Sequence, residues 1–165
     1  MFREMRRTRQ QLPENETLEI LERNAEGVLA LHGDNGYPYG VPVNYVWDNG
    51  RIFFHCAKTG HKADAIKADP KVCFTVIDLH TVLPQKMATS FRSVIVFGKA
   101  RFVEDREEKF RALRTFAQKH SGDFPQEIEA EIISAGERTL IVEITAEHIT
   151  GKESLDLMEA RQKNL

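Results

Sequence analysis

At 165 residues, with 41% hydrophobic and 29% charged side chains, the chain has the length of one domain and can bury about two thirds of its unfolded surface without a second core. A formal net charge of −2 argues against a general nucleic-acid binder, which needs a basic excess to meet phosphate. No apolar run approaches the roughly 20 residues of a membrane span and the start has no apolar signal core, so a cytoplasmic location without membrane contact is expected.

In chain order, the first feature is a basic arm. Arg3, Arg6, Arg7 and Arg9 crowd against Glu4 alone, which reads as a solvated or loosely docked terminus, or as an arm that touches a phosphate or a partner chain. Pro13 and the acidic Glu14 and Glu16 then precede Leu18, Ile20 and Leu21, the pattern of a short amphipathic helix ending near Asn24 and Gly27. From Gly27 the character changes to strands. Val28 to Leu31 is a compact apolar run, His32 to Gly36 is a turn with two glycines, and Tyr37 to Trp47 is a second strand. Pro38 and Pro42 cannot donate to a ladder, so part of that strand must lie on an edge or border a bulge. Asp48-Asn49-Gly50 is the strongest hairpin signal in the chain, and Arg51 to Cys56 runs back from it.

The stretch from Phe53 to Pro70 carries the main chemical interest. An apolar strand breaks at Lys58-Thr59-Gly60 and resumes as a short helical pattern that Asp69-Pro70 stops. The first amides of such a helix, near Gly60, His61 and Lys62, have no intrahelical acceptor. With the helix dipole, the Lys62 ammonium and the Thr59 hydroxyl they form a recipe for holding phosphate. The plainer alternative has Thr59 as an ordinary N-cap, with His61 and Lys62 pointing to solvent.

Lys71 to Asp78 follows as a fourth strand, then a turn-rich stretch through Pro84. Phe91 to Val103 is a long fifth strand whose length suggests a bend at Gly98. Glu104-Asp105 cap a helix with Phe110, Leu113, Phe116 and Ala117 on one face, and a weaker helical piece is expected over Gln126 to Ser134. Thr139 to Thr145 is a sixth strand, continued past a bulge by Glu147 to Lys152, and the rest reads as a charged, frayed tail. Six strands with mostly local antiparallel connections predict a mainly β protein, a six-stranded antiparallel barrel with a few flanking helices in a single domain over residues 1–152. Cys56 and Cys73 sit singly in apolar runs and are expected to be buried, reduced thiols. The histidines show no HxxxH or HExxH spacing, so no dedicated metal site is expected.

Several of these pieces, in their order and spacing, resemble the pyridoxamine 5′-phosphate oxidase-like superfamily of FMN-binding split barrels, and within it the branch of nitroimidazole-resistance reductases. They are Phe2-Arg3 with Met5-Arg6-Arg7, the strand from Gly36 to Tyr45, Phe54 to Ala57 followed by Gly60-His61-Lys62, Asp69-Pro70, Ser93 to Ala100, and Ile149 to Lys152. The resemblance implies a homodimer with FMN at the subunit interface and a small-molecule substrate. It places the FMN phosphate at Thr59, His61 and Lys62, the isoalloxazine ring along Pro42, Val43, Asn44 and Tyr45, and the ribityl chain above His55 and Cys56, with Ser93 a further candidate. His61 stands where the oxidases have an arginine, which weakens the fixed charge at the phosphate.

The chemistry implied is the flavin's: electrons arrive from a nicotinamide or another reductant and leave to a small acceptor, a nitroaromatic being one. No side chain reads as an obligatory acid, base or nucleophile. True pyridoxamine phosphate oxidase activity is disfavoured, because the C-terminal stretch offers only Arg161 and Lys163 where a substrate-phosphate arginine cluster would stand. The competing reading is a module that binds flavin or haem without turnover, with His55 or His61 as the axial ligand of a haem.

Overall fold

Strand-forming runs pair with their chain neighbours wherever a tight turn allows it. β1 (Glu26–His32) turns back into β2 (Pro38–Asn44), β3 (Val46–Asp48) into β4 (Arg51–Ala57), and β5 (Lys71–Leu83) into β6 (Ala88–Phe102), while β7 (Thr139–Glu153) follows a helical excursion. The computed structural model describes residues 1–121, 129, 130, 132, 134, 136 and 138–163. It joins these strands into one antiparallel sheet in the order β2-β1-β5-β6-β7-β4-β3.

Among the described residues there are seven strands rather than six because the run from Tyr37 to Trp47 divides. At Tyr45 the chain leaves the β1 edge and begins again as β3 against β4. Tyr45 is the reason. Its ring is fully buried and meets Phe74 edge-on at 5.0 Å, its N–H donates to the Ala25 carbonyl at 2.9 Å, and its hydroxyl donates to the Leu21 carbonyl at 2.8 Å. β2 and β3 are therefore the two ends of the sheet, yet Tyr45 alone separates them in sequence. The sheet must curl until those ends face each other, which makes the expected split barrel.

The β3–β4 turn is the tight loop that Asp48-Asn49-Gly50 called for, with φ of 46° at Asn49 and 82° at Gly50, both in the region such hairpins require. β6 bends where expected: the pairing with β7 skips Glu147 opposite Phe97 and Gly98, and a Cβ on Gly98 would lie 2.3 Å from the Thr145 carbonyl oxygen. The turn-rich stretch expected before Phe91 is narrower than its composition suggests, since β5 and β6 stay paired out to Leu83 and Ala88.

The barrel interior is packed by Leu29, Phe54, Phe74, Val94, Val96 and Ile144, joined by Ile20 and Leu21 of α1 (Glu14–Arg23). A smaller cluster lies outside β3 and β4, where Leu113 of α3 (Arg106–Ser121) meets Val46, Phe53 and Ile141. α3 starts as its sequence indicates, with Asp105 accepting from the Glu108 N–H at 2.8 Å. The weaker piece expected over Gln126 to Ser134 falls largely outside the described residues.

The residues after Lys152 are a correction. They form α4 (Leu155–Lys163) rather than a frayed tail, with Met158 buried. The fully buried Glu153 accepts from Arg161 Nε at 2.8 Å, an anchor that a charged composition does not reveal. In the basic arm, Arg3, Arg6 and Arg9 are exposed, while Phe2 is docked flat on His148 and Phe97 at 4.7 and 5.5 Å between ring centroids.

Candidate functional site

The break after β4 builds the site. Gly60 caps α2 (His61–Ala68) at φ 121° and ψ 167°, a left-handed extended conformation that only glycine adopts without strain. Among the described residues no side chain caps this end, so the alternative of Thr59 as an ordinary N-cap is not realised, and Thr59 is exposed. The first helical bond runs from the Asp64 N–H to the Gly60 carbonyl at 3.1 Å. The N–H groups of His61, Lys62 and Ala63 are therefore left without helical acceptors, at the positive end of the dipole.

His61 and Lys62 leave this terminus in different directions. The Lys62 ammonium lies 5.7 Å from the Phe54 ring centroid, over the end of β4, and among the described residues no carboxylate pairs with it. His61 instead stacks on Tyr39 of β2 at 4.1 Å between centroids, with its Nε2 3.5 Å from the Asp34 carboxylate in the β1–β2 turn. With His61 turned toward Asp34, Lys62 is the cation on the first turn of α2 that no carboxylate pairs with among the described residues.

β2 supplies a second wall. It is an edge strand, one of the two placements that Pro38 and Pro42 allow. The bonds flanking its ladder, from Gly33 N–H to the Tyr37 carbonyl and from Tyr45 N–H to the Ala25 carbonyl, set the alternation: Tyr39, Val41 and Val43 exchange hydrogen bonds with β1. Pro38, Gly40, Pro42 and Asn44 then turn their backbone groups to the free edge. That edge offers carbonyls at all four, and N–H groups only at Gly40 and Asn44. Of the four ring-contact candidates, Pro42 and Asn44 are exposed and face the edge, whereas the amides of Val43 and Tyr45 are committed to pairing and the Tyr45 side chain is part of the core.

His55 and Cys56 are adjacent on β4 and so point to opposite faces. Cys56 packs against the barrel core beside Phe54. His55 turns outward and meets Phe116 of α3 edge-on at 4.7 Å. Burial, then the charge of Lys62, pushes the His55 pKa down, favouring neutral imidazole. Both cysteines are free and half-buried rather than fully buried, and burial pushes both thiols up, with Lys62 partly offsetting this at Cys56. Neither is a thiolate nucleophile at neutral pH. Ser93 stands apart. It pairs with Lys152 near the end of β7, while Ala57 pairs with Thr139 at its start, so a single chain does not bring Ser93 to the α2 terminus.

Tyr39 and Asp34 were not anticipated as site residues; the two glycines flanking Asp34 mark a turn, and nothing local says which side chain it meets. Among the described residues no group of three His, Cys, Asp or Glu side chains could hold a metal ion, and no helix is long and apolar enough to cross a membrane.

A family model described as pyridoxamine 5′-phosphate oxidase matches residues 13–153. No curated protein is significantly similar to the chain. Among solved structures, a candidate 5-nitroimidazole antibiotic resistance protein from Bacteroides thetaiotaomicron is 23% identical over 87% of this chain and 86% of its own, with a TM-score of 0.72. An FAD-binding protein from Mesorhizobium loti is 24% identical over 87% and 96%, TM-score 0.64. An FAD- and haem-binding protein from Mycobacterium smegmatis is 16% identical over 92% and 80%, TM-score 0.75. At these identities the likeness is one of fold.

Proposed function

The chain belongs to the pyridoxamine 5′-phosphate oxidase family, and on that premise we propose that it is a flavoprotein holding riboflavin 5′-phosphate between the α2 terminus and the free edge of β2. The observation that carries this reading is the start of α2: three unsatisfied amides, an uncapped glycine N-cap and an unpaired Lys62 together. Phosphate is the ligand such an arrangement suits. The β2 edge suits the ring, whose pyrimidine end presents alternating acceptors and a donor to the carbonyls of Pro42 and Asn44 and the Asn44 N–H. FMN is the smallest ligand that meets both, and FAD contains the same half.

Bound flavin supplies the redox chemistry, and this chain's residues position it. The proposed activity is transfer of electrons from a nicotinamide donor to a small acceptor, for which the likeness to a nitroimidazole-resistance protein suggests a nitroaromatic. Protonated thiols and a neutral His55 leave no charged nucleophile or strong base to compete with it.

A homodimer belongs to the same proposal. Val28, Ile77, Ile95 and Phe97 share the outer face of β1, β5 and β6 by their pairing register and are 40%, 61%, 37% and 38% exposed. An apolar face of this kind is what an isologous dimer covers, and Ser93 on the same face would then reach the site from the partner subunit. A second reading, a haem-binding module, draws on the neutral His55 imidazole and on the relative described as binding haem.

The deciding experiment is an absorption spectrum of protein mixed with FMN or FAD and then desalted. Flavin bands that remain and bleach with a nicotinamide donor support the reductase. Bands that remain but never bleach favour a binding module. No retained flavin, with a Soret band on haem addition that His55→Ala removes, overturns the flavin reading. Sedimentation at micromolar concentration tests the dimer, and a monomer there refutes it.

A further inference from the structure

The basic arm takes no part in the flavin site described above. Four arginines against Glu4 in the first ten residues stand out in a chain whose formal net charge is −2, and the end of the arm is docked rather than solvated. A single 3-10 turn, Thr8–Gln10, shapes it. The Gln10 N–H donates to the Arg7 carbonyl and the Gln11 N–H to the Thr8 carbonyl, both at 3.0 Å. The Leu12 N–H then donates to the Gly151 carbonyl, also at 3.0 Å, which ties the turn to the end of β7. Gln10 is 5% exposed, and its Oε1 accepts from Arg7 Nη1 at 3.4 Å, so a buried amide steers that guanidinium.

This turn and α4 enclose a cavity of about 410 Å³, lined by residues 6–10 of the arm and by Leu155 and Met158 of α4. Its size falls within the roughly 300–1,000 Å³ range of small-molecule sites. Arg6, Arg7 and Arg9 all border it, and among the described residues no carboxylate pairs with any of the three. Asp156 of α4 is engaged instead by Ser90, whose hydroxyl donates to it at 2.8 Å. Three unpaired guanidiniums around one cavity repel one another, and an anion held between them removes that cost while meeting their donors. The remaining wall is aliphatic: Met158 is buried, Leu155 is 54% exposed, and the arginines add their methylene stems. No aromatic ring is among the lining residues, so a nucleobase or any other flat ring finds nothing to stack on.

We infer that this cavity binds an aliphatic carboxylate, its head on the arginine forks and its chain along Leu155 and Met158. A planar carboxylate matches the guanidinium fork, and the flexible Met158 thioether adapts to a flexible chain. The concave shape suits one small molecule rather than a bilayer, which binds a continuous apolar helix face. The cavity is separate from the flavin site: α4 follows the last residues of β7, whereas the α2 terminus adjoins the first, where Ala57 pairs with Thr139. None of its lining residues belongs to β1, β5 or β6, whose outer face is the proposed dimer contact.

The test is calorimetric titration of the full-length protein with octanoate, acetate and 1-octanol at constant salt. Octanoate is expected to bind at least tenfold more tightly than acetate, which has the head alone, and than octanol, which has the chain alone. Arg6→Gln, Arg9→Gln and Leu155→Ser, all at exposed positions, are each expected to weaken octanoate at least fivefold with thermal melting unchanged and flavin binding within twofold. Raising the salt is expected to weaken octanoate, because the pairing of its head is screened. Equal binding of acetate and octanoate overturns the inference and leaves only a surface for adventitious anions, and so does octanoate binding that none of the three variants weakens. Adsorption to phosphatidylglycerol vesicles without binding of octanoate also overturns it and assigns the arm to a membrane surface.

Discussion

Replacing Lys62 by alanine isolates the charge on which the phosphate assignment depends. Its ammonium lies 5.7 Å from the Phe54 ring centroid, a cation–π contact worth about 0.5–1 kcal/mol, so folding loses little when it goes. Binding loses more. A charge-assisted hydrogen bond contributes about 1.5–3 kcal/mol, and at about 1.4 kcal/mol per decade Lys62→Ala should weaken FMN and FAD by about 10- to 140-fold. Riboflavin, which has the ring and ribityl chain but no phosphate, should bind the variant and the parent within about threefold. The assay is fluorescence titration of all three ligands at constant salt. A second readout needs no ligand: the charge of Lys62 is the second cause, after burial, of the low His55 pKa, so the His55 imidazole should titrate at higher pH in the variant by proton NMR. Equal weakening of riboflavin and FMN would refute the reasoning, since Lys62 would then be acting through the protein and not on phosphate.

Three stability predictions follow from the same geometry. Tyr45→Phe removes the 2.8 Å bond to the Leu21 carbonyl and should cost about 1–3 kcal/mol in urea unfolding, the price of a buried acceptor left unmet; an unchanged midpoint would mean the hydroxyl does not hold the β2–β3 break. Glu153→Ala strips the fully buried carboxylate from Arg161 and Arg92, at 2.7 and 3.4 Å, and should cost about 3 kcal/mol, the low end for a broken buried pair because both guanidiniums keep some water; limited proteolysis should then reach α4 first. Asp78 sits between burial, which raises its pKa, and hydrogen bonds from Arg23 and Asn24, which together outweigh burial and hold it below the usual carboxylate range. A depressed native pKa stabilises the fold above the unfolded value of about 3.9 and loses that contribution as pH falls through the lower native one. Asp78→Asn should therefore flatten the stability profile below about pH 4, as read by thermal melts; an identical acid limb would refute the assignment.

What was legible in the sequence is the part of the molecule that follows from local backbone rules. Asp48-Asn49-Gly50 specifies its hairpin, Gly98 its bend, Asp105 its cap, and Gly60 a helix start with open amides, each within a few residues of chain. Pro38 and Pro42 limited part of β2 to an edge or a bulge because a missing N–H is a local fact, and the structure takes the edge. The division of that strand was hidden, since Tyr45 is a good strand former and its break is caused by Leu21 on α1 and Phe74 on β5, far away in sequence. α4 was hidden for the same reason: its few apolar side chains do not announce burial, and the buried Glu153 that anchors Arg161 is fixed by β6 and β7. The opposite faces of His55 and Cys56, by contrast, were open to inspection, because strand alternation alone forbids both from lying under one ligand.

The same division runs through the candidate site and bears on how it tolerates change. Its anion-facing parts are amides of α2 and its ring-facing parts are groups on the β2 edge, and backbone groups survive substitution of the side chains they carry. The proposed cradle therefore does not depend on the side chain carried at His61, provided Lys62 remains. What that side chain does set is its own direction: the imidazole lies flat on Tyr39 and reaches Asp34, away from the Lys62 side of the terminus. Lys62 is then the ammonium on the first turn of α2 that no carboxylate pairs with among the described residues, and the proposed phosphate assignment turns on it and on the amides beside it.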